Sequence, residues 1–267
     1  MADLIEERGD SAFERWLRGL NPGTKLAFVL LTGFACMVSP GSILGAVLII
    51  LLFAIAAAAR SLGPFARLMF GFGIPITVML LFIQGLYSPA NETIIFDFGF
   101  AKMGLEGVLS ACKTVTTLLV FLGGFTHMNR TTKPSELVAA LTERGLPPKA
   151  GYLVLASLNV VPQMKRRMST IQEAQIARGL DIEGGALSRV RAMVPLLGPV
   201  VMSSLTDAEE RSMTLETHGF HLNDVRHTTY VEVKHSSGDT PVVAFASVLF
   251  LLATAARIAS VVGVLGL

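Results

Sequence analysis

Charge is what this chain has least of. Asp, Glu, Lys and Arg together supply 16% of its 267 residues, while apolar residues supply 52%. Soluble domains carry about 25% charged residues. A mean hydropathy of +0.59 therefore excludes an ordinary soluble fold and points to an integral membrane protein. The net charge is only +2, which excludes a strongly basic surface and with it nucleic acid as a partner. Cysteine is scarce as well. Cys36 and Cys112 both lie in apolar runs, where they are small core hydrophobes and not a disulfide framework. The N-terminal stretch MADLIEERGDSAFERWLRGL mixes charges and lacks an apolar core. A cleavable signal peptide is not expected there; an amphipathic segment on the membrane surface is.

What charge there is clusters. Residues 24–128 and 241–267 are almost free of it, and 129–240 hold most of it. A spanning helix needs about 20 mostly apolar residues. Five stretches qualify as candidates: 24–38, 42–59, 68–87, 104–128 and 241–267. Gly73 and Pro75 predict a bend in the third. The fourth contains Glu106 and Lys113, and the fifth contains Arg257. The bias of Lys25, Arg60, Arg67, Arg130 and Lys133 to one side makes the N-terminus and the polar insert cytoplasmic and the C-terminus external. The expected fold is an all-α integral membrane protein with about five transmembrane helices. Its divisions are a cytoplasmic segment 1–22, transmembrane helices 23–129, a cytoplasmic helical domain 130–240 and a last span 241–267.

The insert reads as three helices, over 134–145, 147–180 and 188–220. The second is apolar first, is expected to break near Pro162, and then carries the basic cluster Lys165, Arg166 and Arg167. That cluster suits anionic lipid heads, though a solvated face or a protein partner fits it too. In the third helix Val194, Leu197, Val201, Leu205, Ala208, Ser212 and Leu215 recur every three or four residues as one apolar face, with Asp207, Glu209, Glu210 and Arg211 off it. Both long helices end alike. AQIARGL and LETHGF place Gly179 and Gly219 as left-handed C′ residues, with Leu180 and Phe220 as the apolar residues that follow in Schellman caps. Arg178 and His218 then stand in the last turns, where a cation also suits the helix dipole. Either end alone is as readily an ordinary helix stop as a docking tip.

The stretches LNPGTKL (20–26), EAQIARG (173–179) and VPLLGPVVMSSLTDAEERSMTLETHGF (194–220), in a layout of four spans, insert and one span, resemble a known family. It is the transmembrane T component of energy-coupling factor (ECF) transporters, the cobalt-transport-type permeases. The resemblance implies a bacterial or archaeal cytoplasmic membrane protein whose insert helices are coupling helices. In that family Ala-Arg-Gly-like motifs end the coupling helices, and each arginine docks on one of two cytosolic ABC-type ATPases. Ala177, Arg178 and Gly179 match; Thr217, His218 and Gly219 depart from the pattern. Histidine is only partly charged near neutral pH, which implies a weaker or pH-dependent second contact. The resemblance further implies that Pro195, Leu197, Val201, Leu205, Glu209 and Glu210 are coupling-helix contacts. It also implies a small membrane-embedded substrate-binding subunit, the S component, that would carry a vitamin or a transition-metal ion. This chain would be no enzyme and hold no cofactor: it has no G-x-x-x-x-G-K-[ST] loop, so ATP and magnesium belong to the partner ATPases.

Other features read as structural. His218, His221, Asp224 and His227 recur every three residues, as a metal site might, but a polar loop after a helix stop accounts for them, and no metal is expected. Asp207, Glu210 and Arg211 are helix neighbours, read as pairing within or between helices. GSILG (41–45) permits close helix contact. Two rival functions differ in what they require. A self-sufficient carrier or channel needs polar clusters at matched depth or inverted repeats. An intramembrane enzyme needs paired acids or a Ser/His or metal set within the spans. The only span histidine is His127.

Overall fold

The computed structural model describes residues 12–87, 94–97, 102–179, 186–220 and 235–264. The fold is all-α and of membrane type. Nine helices stand among the described residues: α1 (Ala12–Gly19), α2 (Pro22–Val38), α3 (Ile43–Ala58), α4 (Leu62–Tyr87), α5 (Leu105–Thr131), α6 (Pro134–Glu143), α7 (Pro148–Ala177), α8 (Ala186–Thr217) and α9 (Asp239–Val264). One feature had no signal in the sequence pattern. Between α4 and α5 a short antiparallel pair, β1 (Ile94–Asp97) and β2 (Lys102–Gly104), aligns Asp97 with Lys102 and Ile94 with Gly104, with a bulge between Ile94 and Phe96. The chain divides into two compact units, Met1–Ala140 with Val233–Leu267, and Leu141–Glu232.

In the first unit every expected span is helical. Among the described residues three helices, α4, α5 and α9, are long and apolar enough to cross a membrane, or four spans if α1 and α2 together count as one broken span. The other two are shorter: α2 has 17 residues and α3 has 16. At 1.5 Å per residue each is about 25 Å long, a little under the hydrocarbon thickness. The preceding α1 meets α2 at a 98° bend. α4 begins six residues earlier than the apolar pattern predicts and keeps Pro75 inside one continuous helix.

Small residues let these helices approach. A Cβ on Gly33 would lie 2.3 Å from the Phe121 ring, and one on Gly45 would lie 2.6 Å from Thr116 Cβ and 2.8 Å from Cys36 Sγ. Gly45 is thus the half of the GSILG pair that packs; nothing stands within 4 Å of a Cβ at Gly41. Around these contacts Cys36, Leu48 and Val120 form one buried cluster and Leu52, Ala56, Phe65 and Met69 another. His127 is absorbed into the second: its ring stacks on Phe65 at 4.7 Å and its Nε2 lies 3.1 Å from the Leu52 carbonyl. The outward faces of α4 and α9, with Phe72, Phe82, Leu251 and Leu252, are exposed and apolar, as lipid contact requires.

In the second unit α7 and α8 have 30 and 32 residues. The break expected near Pro162 is absent, and α7 runs through it. One proline removes a single backbone hydrogen bond, and a helix of this length retains the rest of its ladder.

Candidate functional site

The two long helices of the second unit cross antiparallel, and their contact is polar. Arg167 on α7 pairs with the Asp207 carboxylate on α8 and also donates to Ser203, 2.8 Å to the hydroxyl and 3.2 Å to the carbonyl. Arg211 donates to Gln163 Oε1 at 2.7 Å, and the Ser204 hydroxyl faces Met164 Sδ at 3.8 Å. Farther out, Phe220 lies against Tyr152 with ring centroids 5.3 Å apart. As residue numbers rise along α7, their partners on α8 fall.

The acidic stretch read as pairing within or between helices therefore pairs between them, through Asp207 and Arg211. Arg167 is drawn out of the basic cluster toward α8, while Lys165 and Arg166 remain exposed. The periodic apolar face of α8 is not the face that crosses α7: Leu197, Val201 and Leu205 are each more than half exposed, and so are Leu153 and Val161 on α7. Glu209 and Glu210 are exposed too. Pro195 falls within α8, but its side chain is outside the described part of the structure.

Both helix ends place their glycine in the left-handed backbone that the sequence predicts. Gly179 has φ +93° and its N–H donates to Ile176 O at 2.9 Å. Leu180 lies outside the described residues. Gly219 has φ +68°; its N–H reaches Glu216 O at 3.0 Å and the Phe220 N–H reaches Leu215 O at 3.0 Å. That is a complete Schellman cap, and Phe220 uses it to seat on Tyr152. Ala177, Arg178, Thr217 and His218 are exposed. Because the helices cross antiparallel near Lys165 and Leu205, the two tips lie at opposite ends, each about 20 Å of helix beyond the crossing.

A third cap of the same kind ends α6. Gly145 has φ +111°, and the Leu146 N–H donates to Leu141 O at 3.0 Å. The sequence around it, Arg144-Gly145-Leu146, repeats the Arg-Gly-apolar order. The cap alone is thus general helix chemistry. What sets the two tips apart is their place at the ends of two long helices that cross each other. Of the histidine series, His221, Asp224 and His227 lie outside the described residues. Among the described residues no group of three His, Cys, Asp or Glu is placed to hold a metal ion.

In the first unit the LNPGTKL stretch forms a clamp that sequence reasoning left without a structural role. Asn21 caps α2 by accepting from Gly23 N–H at 2.8 Å, with Pro22 at the first helical position. Its own N–H donates to Asp239 Oδ1 at 2.8 Å, tying it to the start of α9. Lys25 is buried, and its ammonium donates to Thr131 O at 2.9 Å, Thr132 Oγ1 at 3.3 Å and Arg18 O at 3.4 Å. All three donors of the ammonium are used. Two of the acceptors are carbonyls in the last turns of α1 and α5, where backbone oxygens lack helical partners and the dipole favours a cation. The signal for it was an Asn-Pro cap followed by one lysine at the edge of an apolar run.

Comparison with known proteins places this architecture. The cobalt transport protein family, CbiQ, matches residues 13–230. The chain is 29% identical over 251 residues to the energy-coupling factor transporter transmembrane protein EcfT of Bacillus subtilis, covering 87% of this chain and 92% of that protein. It is 27% identical over 191 residues to the protein of the same name from Lactococcus lactis, covering 67% and 71%. With Exiguobacterium sibiricum EcfT it is 29% identical over 215 residues, covering 76% and 81%. A chain of apolar helices joined to a crossed pair of capped polar-ended helices, matched by that family over most of its length, belongs to the transmembrane T components of energy-coupling factor transporters.

Proposed function

We propose that this chain is the non-catalytic scaffold of an ATP-driven importer, in which α7 and α8 are levers moved by two cytosolic ABC-type ATPases. Ala177, Arg178 and Gly179 engage one ATPase, and Thr217, His218 and Gly219 engage the other. The observation that carries this reading is the pair of exposed, capped tips at opposite ends of one crossing. Tips at equal distance from a shared fulcrum suit a dimer whose two subunits close toward each other. The arginine is permanently charged and its planar fork binds a carboxylate in two places, so it is the stronger anchor. The histidine tip makes the weaker or more pH-sensitive contact.

The exposed apolar faces, Leu153 and Val161 on α7 and Leu197, Val201 and Leu205 on α8, take the small membrane subunit that binds the substrate. Lys165 and Arg166 meet the lipid headgroups where α7 leaves the bilayer. ATP and magnesium are held by the ATPases, and the cargo is a vitamin or a transition-metal ion chosen by the substrate-binding subunit. The N-terminus and the 130–240 segment face the cytoplasm.

Arg178→Glu tests the reading. The variant should reach the membrane in normal amount and lose co-purifying ATPase. Undiminished recovery of the ATPases with Arg178→Glu rejects Arg178 as an anchor.

A further inference from the structure

The first unit contains an apolar cavity of about 310 Å³ that the transport reading does not use. Helices α1, α2, α3, α5 and α9 all contribute to its wall, with Trp16, Leu17, Leu51, Met128, Val242 and Phe245 among the lining residues. The volume is about ten times the ~30 Å³ share of one water, yet water needs two to four polar partners to stay. The polar groups at the wall are already committed. Lys25 gives its three protons to Arg18, Thr131 and Thr132, and His127 meets the Leu52 carbonyl. The cavity therefore suits apolar matter.

Its position and its rim narrow the occupant. The 98° bend between α1 and α2 turns α1 across the end of the spans, and Trp16 on it is 44% exposed. Arg15, Arg18, Arg130 and Lys133 are exposed and within two residues of lining positions in the chain. The nearby acids are largely engaged: Glu14 pairs with Arg18 at 2.9 Å, and Asp239 accepts from the backbone of Asn21 and Ser236. Among the described residues, Glu136, half-buried at the start of α6, is the remaining acid near Lys25. Among the described residues, cations outnumber acids in the chain segments that line this apolar pocket, which lies at the sharp bend between α1 and α2.

We infer that this cavity is a binding site for one anionic phospholipid, one of its two acyl chains entering the pocket and its phosphate among Arg15, Arg130 and Lys133. The lipid fills the space under α1 and holds that helix in its bent position. A zwitterionic lipid offers the same chain without net charge, and each cation near an anionic headgroup favours it by about fivefold.

Trp16 is the chain's single tryptophan, so its fluorescence reports on the site directly. The full-length protein in detergent micelles is titrated with phosphatidylglycerol brominated along its acyl chains, and separately with brominated phosphatidylcholine. The expected result is saturable quenching by phosphatidylglycerol at a mole fraction at least about fivefold lower than by phosphatidylcholine. Val242→Phe, which narrows the pocket, should weaken the preferential quenching. Arg15→Gln combined with Arg130→Gln leaves the pocket intact and should bring the two lipids to parity, which keeps the test decisive should the narrowed variant not fold. Equal quenching of the native chain by both lipids, or none by either, overturns the proposal. A preference undiminished by Val242→Phe places the lipid on the surface and overturns the cavity site.

Discussion

Replacing Asp207 by alanine removes the carboxylate that Arg167 grips where α7 and α8 cross. The side chains are 30% and 28% exposed, so the pair is neither fully screened nor fully desolvated. Exposed pairs contribute about 0.2–1 kcal/mol. Ser203, which holds the same guanidinium at 2.8 Å, fixes its geometry and places the expected coupling at the upper end, about 1 kcal/mol. The single variant understates this. Alanine is a better helix former than aspartate by about 0.5 kcal/mol or more, and that gain acts in the opposite direction. A double-mutant cycle with Arg167→Ala separates the two effects. The assay is hydrogen exchange of α7 and α8 amides in the detergent-solubilised protein, where local opening sets the rate. The single variants should combine with a non-additivity of about fivefold in exchange near the crossing, and Arg167→Asp with Asp207→Arg should recover part of it. Strict additivity, within about 0.3 kcal/mol, means the helices are not joined through this pair and refutes the polar crossing as their fulcrum.

Four further outcomes follow from the geometry. Gly219→Ala forces a Cβ into a φ of +68° and should cost about 1–2 kcal/mol of local stability, seen as faster exchange of the last turn of α8. Gly179→Ala, at φ +93°, should fray the end of α7 in the same way and weaken ATPase recovery. Lys25→Met leaves helix-end carbonyls without their donor and should lower thermal stability in detergent by about 2 kcal/mol. Gly45→Ala drives a methyl to 2.6 Å from Thr116 Cβ and should cost about 1–3 kcal/mol, whereas Gly41→Ala, which meets nothing within 4 Å, should melt like the native protein.

Hydropathy located five apolar helices, three of them long and apolar enough to cross a membrane, because burial in lipid demands long and mostly apolar runs. Helix ends were legible for a related reason. Gly145, Gly179 and Gly219 all occupy left-handed backbone, which glycine alone enters freely, so an Arg-Gly or His-Gly step followed by an apolar residue marks a stop. The same generality limits what the motif says: Arg144-Gly145-Leu146 is an equally good cap, and only the antiparallel crossing distinguishes the tips at Arg178 and His218. Helical periodicity identified an apolar face on α8 but not its use. Leu197, Val201 and Leu205 face away from α7, and the crossing is made by Ser203, Asp207 and Arg211. Periodicity finds an apolar stripe; it does not say whether the stripe meets its own chain, lipid or a partner. The break expected near Pro162 did not form because one missing hydrogen bond does not divide a 30-residue helix. The clamp at Asn21, Lys25 and Asp239 joins positions more than 200 residues apart, as the Asn21–Asp239 contact shows, and such pairings leave no local pattern to read.

The central claim is that this chain joins two ATPases to a substrate-binding membrane subunit. Its most direct test is native mass spectrometry of the affinity-tagged chain purified in mild detergent from its own host. The account predicts a complex with one copy of this chain, two ATP-binding-cassette subunits and one small hydrophobic subunit, with both ATPases lost when Arg178→Glu is combined with His218→Glu. A chain that purifies alone, and moves solute into liposomes without ATP, contradicts it.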